Sequence, residues 1–501
     1  NMSYKHGIEV AEKATSLKTP LSTEYAAQVI FGTAPVNLAE YPEKAVNTPI
    51  MANSFEEAKA ALGYSEDWKN YTLCQSMDAS YNLFQVSPVI FVNVLDPERH
   101  VKELEEMTVP VSNGQAIVAS IGILLKDLTV KMATETRTGS AEVGAAAAAG
   151  NPVELTVDED YLASFNDSGY LVVTILSSGA GSEAQELIIS GKVLAPDLVT
   201  EEDLIGAYDS VTGKETGLEV LRQVYPRFGI APGFLLAPGW SEKPNIGAAL
   251  QGKCQDINGV FRCMCLLDLD TAQAQKYSDC EKVKEESGYS DPHAVVLWPR
   301  LTRDGKEYAY SAVYGAMACS NTIANNDVPY QYPSNKALNA DGAVLANGEE
   351  ICLDQVQAGV VNGAGVVTAL HDSSWKAYGN NTACYPENTD PKDRWIGCRR
   401  MFDYVGNHFA IAYREKLDSN MNRRTIDDIV NSFNIWGNSL VAAGMCAGLY
   451  AEYRSDENTT EDVLAGHLKL RVFFAPYTPA EYISTVMEFD VETLENAFKE
   501  E

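Results

Sequence analysis

Histidine is scarce in this chain: His6, His100, His293, His371, His408 and His467 are all there are in 501 residues. None falls in an HExxH run or any two-histidine metal spacing, which removes the usual zinc-hydrolase signatures. There is no GxSxG elbow, no Walker A run and no clean GxGxxG after a strand, so the local signals for α/β-hydrolase, P-loop and dinucleotide chemistry are missing. Cysteine occurs ten times but never as CxxC. The Cys263–Cys265 pair has neither a second pair nor histidines at zinc spacing, and the scattered, mostly apolar settings read as buried free thiols in a reducing compartment. The longest apolar run, near Ile117–Leu125, is too short to span a bilayer. No signal peptide opens the chain, and Asn1 ahead of Met2 reads as an expression remnant. Positive charge is also short: 38 Lys and Arg face 69 Asp and Glu, a formal net charge of −31. Such a balance repels phosphates and argues against direct binding to nucleic acid or anionic membranes.

What is present is length for several domains and an ordinary hydrophobic content of 46%. Residues 21–107 alternate buried strands and helices: AAQVIFGTAPV, then SFEEAKAALG with Ser54 as N-cap and Glu56 and Glu57 in its first turn, then SPVIFVNVL. From about 108 to 206 helix signals fade, and short β-prone runs alternate with turns, the texture of a small β-barrel or sandwich inserted into the first domain. Residues 207–385 return to α/β, with strands GFLLAPG, MCLLDLD and HAVVLWPRL and the helix YAYSAVYGAMACSNTI. The stretch 351–385 reads as β. From Arg394 a helical region begins, with Met401, Tyr404, Val405, His408 and Ile411 as a 3.6-period stripe; a second helix is expected over about Arg424–Trp436 and a third over about Gly437–Tyr450.

Three features invite a chemical reading. Asp268 and Asp270 end a buried strand, where α/β enzymes often hold catalytic or metal-binding carboxylates; without a partner histidine or phosphate loop this is the minor alternative. The SGAGS run at 178–182 lacks the Gly-Lys-Ser/Thr ending of a phosphate loop, and VVNGAGVVTAL at 360–370 reads as a sheet turn. Arg394, Arg399, Arg400, Arg414, Lys416, Arg423 and Arg424 form a basic cluster. They either pair locally with Asp393, Asp403, Glu415 and Asp418 or present a cationic face to an acidic partner.

The two ends of the chain carry strands without evident partners. Near the C-terminus Leu468, Leu470, Val472 and Phe474 alternate with polar or aromatic neighbours. Pro476 and Pro479 then interrupt any ladder. A second alternating run follows, with Ile483, Thr485, Met487 and Phe489 on one side and Tyr482, Ser484, Val486 and Glu488 on the other. The joint is too stiff and long for a tight hairpin. At the N-terminus Tyr4, His6, Ile8 and Val10 share one face of a short strand. Each run either folds onto its own domain or pairs with another chain.

The ordered set MSYKHGIEVAEKATS with VIFGTAPV, DLIGAYDSVTGKETGLEVL with FLLAPGW, WKAYGNNTACY with RWIGCRRMFDYV, and GHLKLRVFFAPYTPAEYISTVMEF resembles the contractile phage tail sheath proteins, shared with tailocins and related contractile injection systems. The resemblance implies a structural subunit, not an enzyme, with no cofactor or metal, assembled in the bacterial host cytoplasm into a virion tail or tailocin-like particle. Expected partners are further copies in stacked hexameric rings, an inner tail tube protein, and baseplate and terminator proteins; a sheath initiator or terminator is the alternative tail component. It implies an α/β multi-domain fold: a mixed-sheet core domain in two parts (21–107 and 207–385), an inserted β-rich outer domain (108–206), and a C-terminal α/β domain (386–478) facing the tube. Exchanged arms, residues 1–20 and 479–501, would complete the sheet of that last domain in a neighbour. The arm strands would be Tyr4, His6, Ile8 and Val10, and Tyr482, Ile483, Thr485, Val486, Met487 and Phe489; the receiving sheet would be Leu468, Leu470, Val472 and Phe474, with Pro476 and Pro479 as the joint. Arg399, Arg400, Arg414, Lys416, Arg423 and Arg424 would face the tube.

Overall fold

The computed structural model describes residue 25 and residues 27–132 and 152–499. The N-terminal run Tyr4–Val10 and the Ala-Gly-rich stretch at 144–150 lie outside the described residues. In chain order the first elements are β1 (Gln28–Gly32), β2 (Pro49–Ala52), α1 (Phe55–Leu62) and β3 (Val89–Asn93). Ser54 caps α1 as its sequence predicts, its hydroxyl accepting from the Glu57 N–H at 3.2 Å. Seven strands follow: β4 (Val101–Pro110), β5 (Gln115–Val118), β6 (Thr129–Met132), β7 (Val153–Glu154), β8 (Tyr161–Phe165), β9 (Leu171–Ile175) and β10 (Glu186–Leu194). Next come β11 (Phe234–Leu236), α2 (Pro244–Lys253), β12 (Met264–Asp268), α3 (Cys280–Glu286), β13 (Ala294–Leu297), β14 (Arg300–Arg303), β15 (Lys306–Tyr308) and α4 (Tyr310–Ala324). The chain continues through β16 (Gly342–Val344), α5 (Gln355–Gly363), β17 (Val366–Asp372), β18 (Ser374–Tyr378), α6 (Ile396–Ala412), α7 (Arg423–Ala442), β19 (Gly448–Tyr453), β20 (Leu470–Ala475) and α8 (Val491–Ala497).

The fold is mixed α/β with several sheets. The largest has the strand order β18-β17-β13-β12-β11-β1-β3-β2, parallel from β17 to β3 and antiparallel at both margins. Its inner strands are predominantly apolar and buried along their whole length, as a sheet covered on both faces requires. Helix α4 lies on it closely because Gly315 stands where a Cβ would sit 2.6 Å from Gln28 Oε1.

The β-rich stretch forms two further sheets, β4-β10-β6-β7 and β5-β9-β8, around an apolar cluster of its own that includes Val109, Ala116, Val130, Leu171, Val173 and Ile189. β4 begins at Val101, ahead of the change of texture expected at about 108. Val101 pairs with Leu194, so the chain enters and leaves this part side by side, through a two-stranded neck.

Two expected elements differ. The stretch 351–385 is not all β: helix α5 occupies Gln355–Gly363. Asp354 caps it by accepting from the Val356 and Gln357 N–H groups at 2.8 Å, and Gln357 reaches back to the Asp354 N–H. That capping box outweighs the β-branched composition. The expected third helix over Gly437–Tyr450 is also absent. Helix α7 runs unbroken to Ala442, the chain turns at Gly444 with φ 71°, and β19 follows. All ten cysteines are free, and only Cys352 is exposed.

Candidate assembly interface at the C-terminal end

Helices α6 and α7 and the hairpin of β19 and β20 share a third apolar cluster that includes Met401, Tyr404, Val405, Phe433, Leu449 and Ala451. Helix α7 starts at Asn422, whose side chain accepts from the Thr425 N–H at 3.0 Å, and buries Ile426, Ile429, Phe433 and Leu440. Strand β20 pairs antiparallel with β19, Ala451 opposite Val472 and Leu449 opposite Phe474. Buried Leu449 and Ala451 fix which face meets the helices, so Leu470, Val472 and Phe474 lie on that face too. On the opposite face Phe473 stacks on Tyr450 at 5.0 Å.

The sheet stops there. Among the described residues no third strand joins β19 and β20. The outer edge of β19 is closed by Asn434, which accepts from the Ala451 N–H and donates to its carbonyl. Because Ala451 points its main chain away from β20, its opposite number Val472 points away from β19. Among the described residues the second edge of β20, including the Val472 main chain, is therefore open, and an open edge is a template for another strand. Beside it a groove of about 890 Å³ separates β20 from α6 and α7. Phe402, Phe409, Ile429, Phe433, Val472 and Phe474 give it apolar walls. This is the space a further strand laid on the helices would cover.

The segment after β20 has two parts. Tyr332 Oη donates to the Tyr477 carbonyl at 3.0 Å, and Arg394 meets Glu481 at 3.3 Å, so the joint containing Pro476 and Pro479 is pinned to the rest of the chain. From Tyr482 to Phe489 no hydrogen bond holds the backbone among the described residues. Tyr482, Ile483, Val486, Met487 and Phe489 are 83, 79, 97, 94 and 72% exposed, and residues 482–489 have no regular secondary structure. Their hydrogen-bonding groups take no partner among the described residues. Apolar side chains of this size each gain about 1.5–3 kcal/mol on burial, so this stretch leaves a large hydrophobic gain unrealised in the single chain. Tyr4, His6, Ile8 and Val10 of the N-terminal run lie outside the described residues.

The basic cluster does not form one face. Arg399 is buried between Asp393 at 3.2 Å and Asp403 at 3.0 Å. Arg400 is buried beneath the sheet, donating to Thr322 Oγ1 at 2.9 Å and lying over the Phe234 ring; burial pulls its guanidinium below the usual pKa range. These two cannot face a tube. Arg414, Lys416, Arg423 and Arg424 are exposed at the turn from α6 to α7, with Arg423 held by Asp427 at 3.0 Å.

Asp268 is likewise accounted for structurally. It is buried and accepts from Ser241 Oγ at 2.9 Å, the Ser311 N–H at 2.8 Å and Ser311 Oγ at 2.5 Å. Burial raises its pKa, against those hydrogen bonds. Asp270 caps the next turn, accepting from the Ala272 N–H. The described residues contain no group of three or more His, Cys, Asp or Glu placed to hold a metal ion. Sequence reasoning missed Asn434, Tyr332 and strand β19, the last hidden by the Ala-Gly-rich lead-in AAGMCAG.

No family model matches the chain. It is, however, 23% identical over 507 residues to the tail sheath protein of Burkholderia phage BcepMu, covering 98% of both chains. It is 22% identical over 310 residues to the major tail sheath protein of Serratia phage KSP20, covering 60% of this chain and 74% of that one. In fold it is similar to a chain of the anti-feeding prophage baseplate, with TM-score 0.56 and 13% identity over 98% of this chain and 100% of that one. It is also similar to a chain of the contracted PVC sheath complex of an extracellular contractile injection system, with TM-score 0.53 and 16% identity over 98% and 99%. Along nearly its whole length the chain is similar to contractile tail sheath proteins. Those relatives are named as tail sheath proteins of phages, and the similar folds come from the anti-feeding prophage and an extracellular contractile injection system.

Proposed function

We propose that this chain is the repeating subunit of a contractile sheath. It polymerises as stacked hexameric rings around an inner tail tube, joins a baseplate at one end and a terminator at the other, and contracts to drive the tube through a target cell envelope. The observation that carries the reading is the pairing of two complementary defects in one chain. Among the described residues, 482–489 form an exposed segment of alternating sequence without a partner, and β20 leaves an open edge above an apolar groove. Folding the segment onto its own β20 would require reversing a joint held by Tyr332 and Arg394; donating it to a neighbour requires no reversal. On this reading the N-terminal run Tyr4–Val10 is a second exchanged arm, residues 101–195 project outward, and the layer from 386 to 478 faces the tube.

Strand exchange suits a contracting lattice. Main-chain hydrogen bonds between subunits survive rigid-body rotation while side-chain contacts are traded. The extended sheath is then metastable, held by the barrier to rearranging many weak contacts, and a few kcal/mol per subunit is the scale of such a switch. No nucleotide hydrolysis is required. The decisive experiment is electron microscopy of the full chain beside a chain ending at Thr478. Tubes or rings from the first and monomers from the second support exchange through the C-terminal arm; equal assembly by both overturns it.

A further inference from the structure

Resting on that reading of the arm, we propose that helix α8 is a second intersubunit anchor. It seats on the groove of a neighbouring copy at the corner between α6 and α7, after the exchanged strand has passed along β20. Helix α8 has seven residues, too few to be stable alone in water. Val491, Leu494 and Phe498 follow the spacing of one helix face and are 56, 45 and 83% exposed. Such a helix persists where that face is covered.

Charge points to the groove as the cover. The whole chain has a net charge of −31, yet the charged side chains lining this groove are Arg262, Lys416 and Lys469 against Asp418 alone. Lys469 shares Glu457 with Arg471; no ion pair engages Lys416 among the described residues. The sequence from Val491 onward carries Glu492, Glu495, Glu500 and Glu501 against Lys499. The most acidic end of the chain thus matches a cationic rim on an otherwise acidic protein.

Reach and direction agree. Residues 482–489 extend about 26 Å and the six residues of β20 about 20 Å, at roughly 3.3 Å per residue, so an added strand spans β20 and delivers α8 just past one of its ends. The Ala475 end is filled by the chain's own pinned joint. The Leu470 end opens on Leu417, Met421 and Leu468, which continue the same groove. Antiparallel addition therefore brings α8 to the cationic corner, and parallel addition drives it into the joint.

The test uses full-length chains carrying Cys352→Ser, since the other nine cysteines are buried. One copy carries Leu417→Cys and a co-expressed copy carries Leu494→Cys. Assembled tubes should give a non-reducing dimer band that disappears when either cysteine is omitted. A chain ending at Thr478 serves as the control for strand exchange itself. If its assembly fails while the cysteine pair in full-length tubes stays uncross-linked, the helix anchor is wrong and the exchanged strand stands. Cross-linking of Leu494→Cys to a tube protein instead overturns the anchor as well. If the chain ending at Thr478 assembles normally, the reading beneath the proposal falls with it.

Discussion

Asn434 accepts a hydrogen bond from the Ala451 N–H at 2.7 Å, and its amide donates to the Ala451 carbonyl at 3.1 Å. A side chain on α7 thereby does what a neighbouring strand would do for β19. The consequence is asymmetry: of the two edges of this hairpin one is closed from within the chain and the other, along β20, is left for a partner. A sheet open on both sides would accept strands in two places and lose the geometry a regular lattice needs.

Replacing Asn434 with Ala should leave both main-chain groups of buried Ala451 unpaired. Each unsatisfied group costs about 1–3 kcal/mol, so the expected result is a lower thermal unfolding temperature together with irregular, branched or aggregated assemblies under the microscope. An Asn434→Ala protein that melts and assembles as the native chain does would show that the edge is closed by something other than this amide.

A second prediction concerns pH. His293 leads into β13 and is buried with Nδ1 3.2 Å from Asp291 and Nε2 3.3 Å from Asp403 on α6, which also holds Arg399. Burial is the largest influence on this imidazole and opposes its charge. The contacts with Asp291 and Asp403 and the attraction of Asp403 outweigh burial, while Arg399 pushes back, so the pKa lies above the ordinary 6.5. A raised folded-state pKa stabilises fully below the unfolded value and loses that contribution as pH rises through the folded value. Asp291 behaves in the opposite sense. Burial opposes its charge, but hydrogen bonds from His293 lower its pKa, so its contribution is present above the unfolded carboxylate value and lost as pH falls through the lowered one. Urea midpoints should therefore decline as pH rises above about 6.5 and through the raised folded-state value, and His293→Gln should flatten that slope. An unchanged slope in His293→Gln would assign it to other groups.

The parts of this fold legible in the sequence are those fixed by local pattern. The buried parallel strands are readable because 89–92 and 264–267 are unbroken apolar runs, and α1 because Ser54 precedes two glutamates in its first turn. Strand β19 is not, because Ala442, Ala443, Ala447 and Gly448 suit a helix as well as a turn and only the partner Leu470–Ala475 decides between them. For Arg399 and Arg400 the sequence leaves local pairing and a cationic face both open, because composition does not show depth. The i,i+4 spacing of Arg399 and Asp403 was a readable hint of an internal pair. The bond between Asn434 and Ala451 had no local signal at all, since it exists only once α7 lies across the hairpin.

The last prediction separates arm from body. Val486 is 97% exposed and lies in a stretch that takes no hydrogen bond from its own chain among the described residues. Proline there removes a backbone donor and clashes with a regular ladder, but it has no native bond to break in the isolated subunit. Val486→Pro should therefore leave the melting curve of the unassembled subunit unchanged within about 0.5 kcal/mol, the scatter of a neutral surface substitution, while assembly into tubes is lost or strongly delayed. The two readouts must part company for the arm to be an exchanged strand. If stability falls along with assembly, the segment is part of its own subunit's fold. If neither moves, the ladder on β20 is built from some other strand.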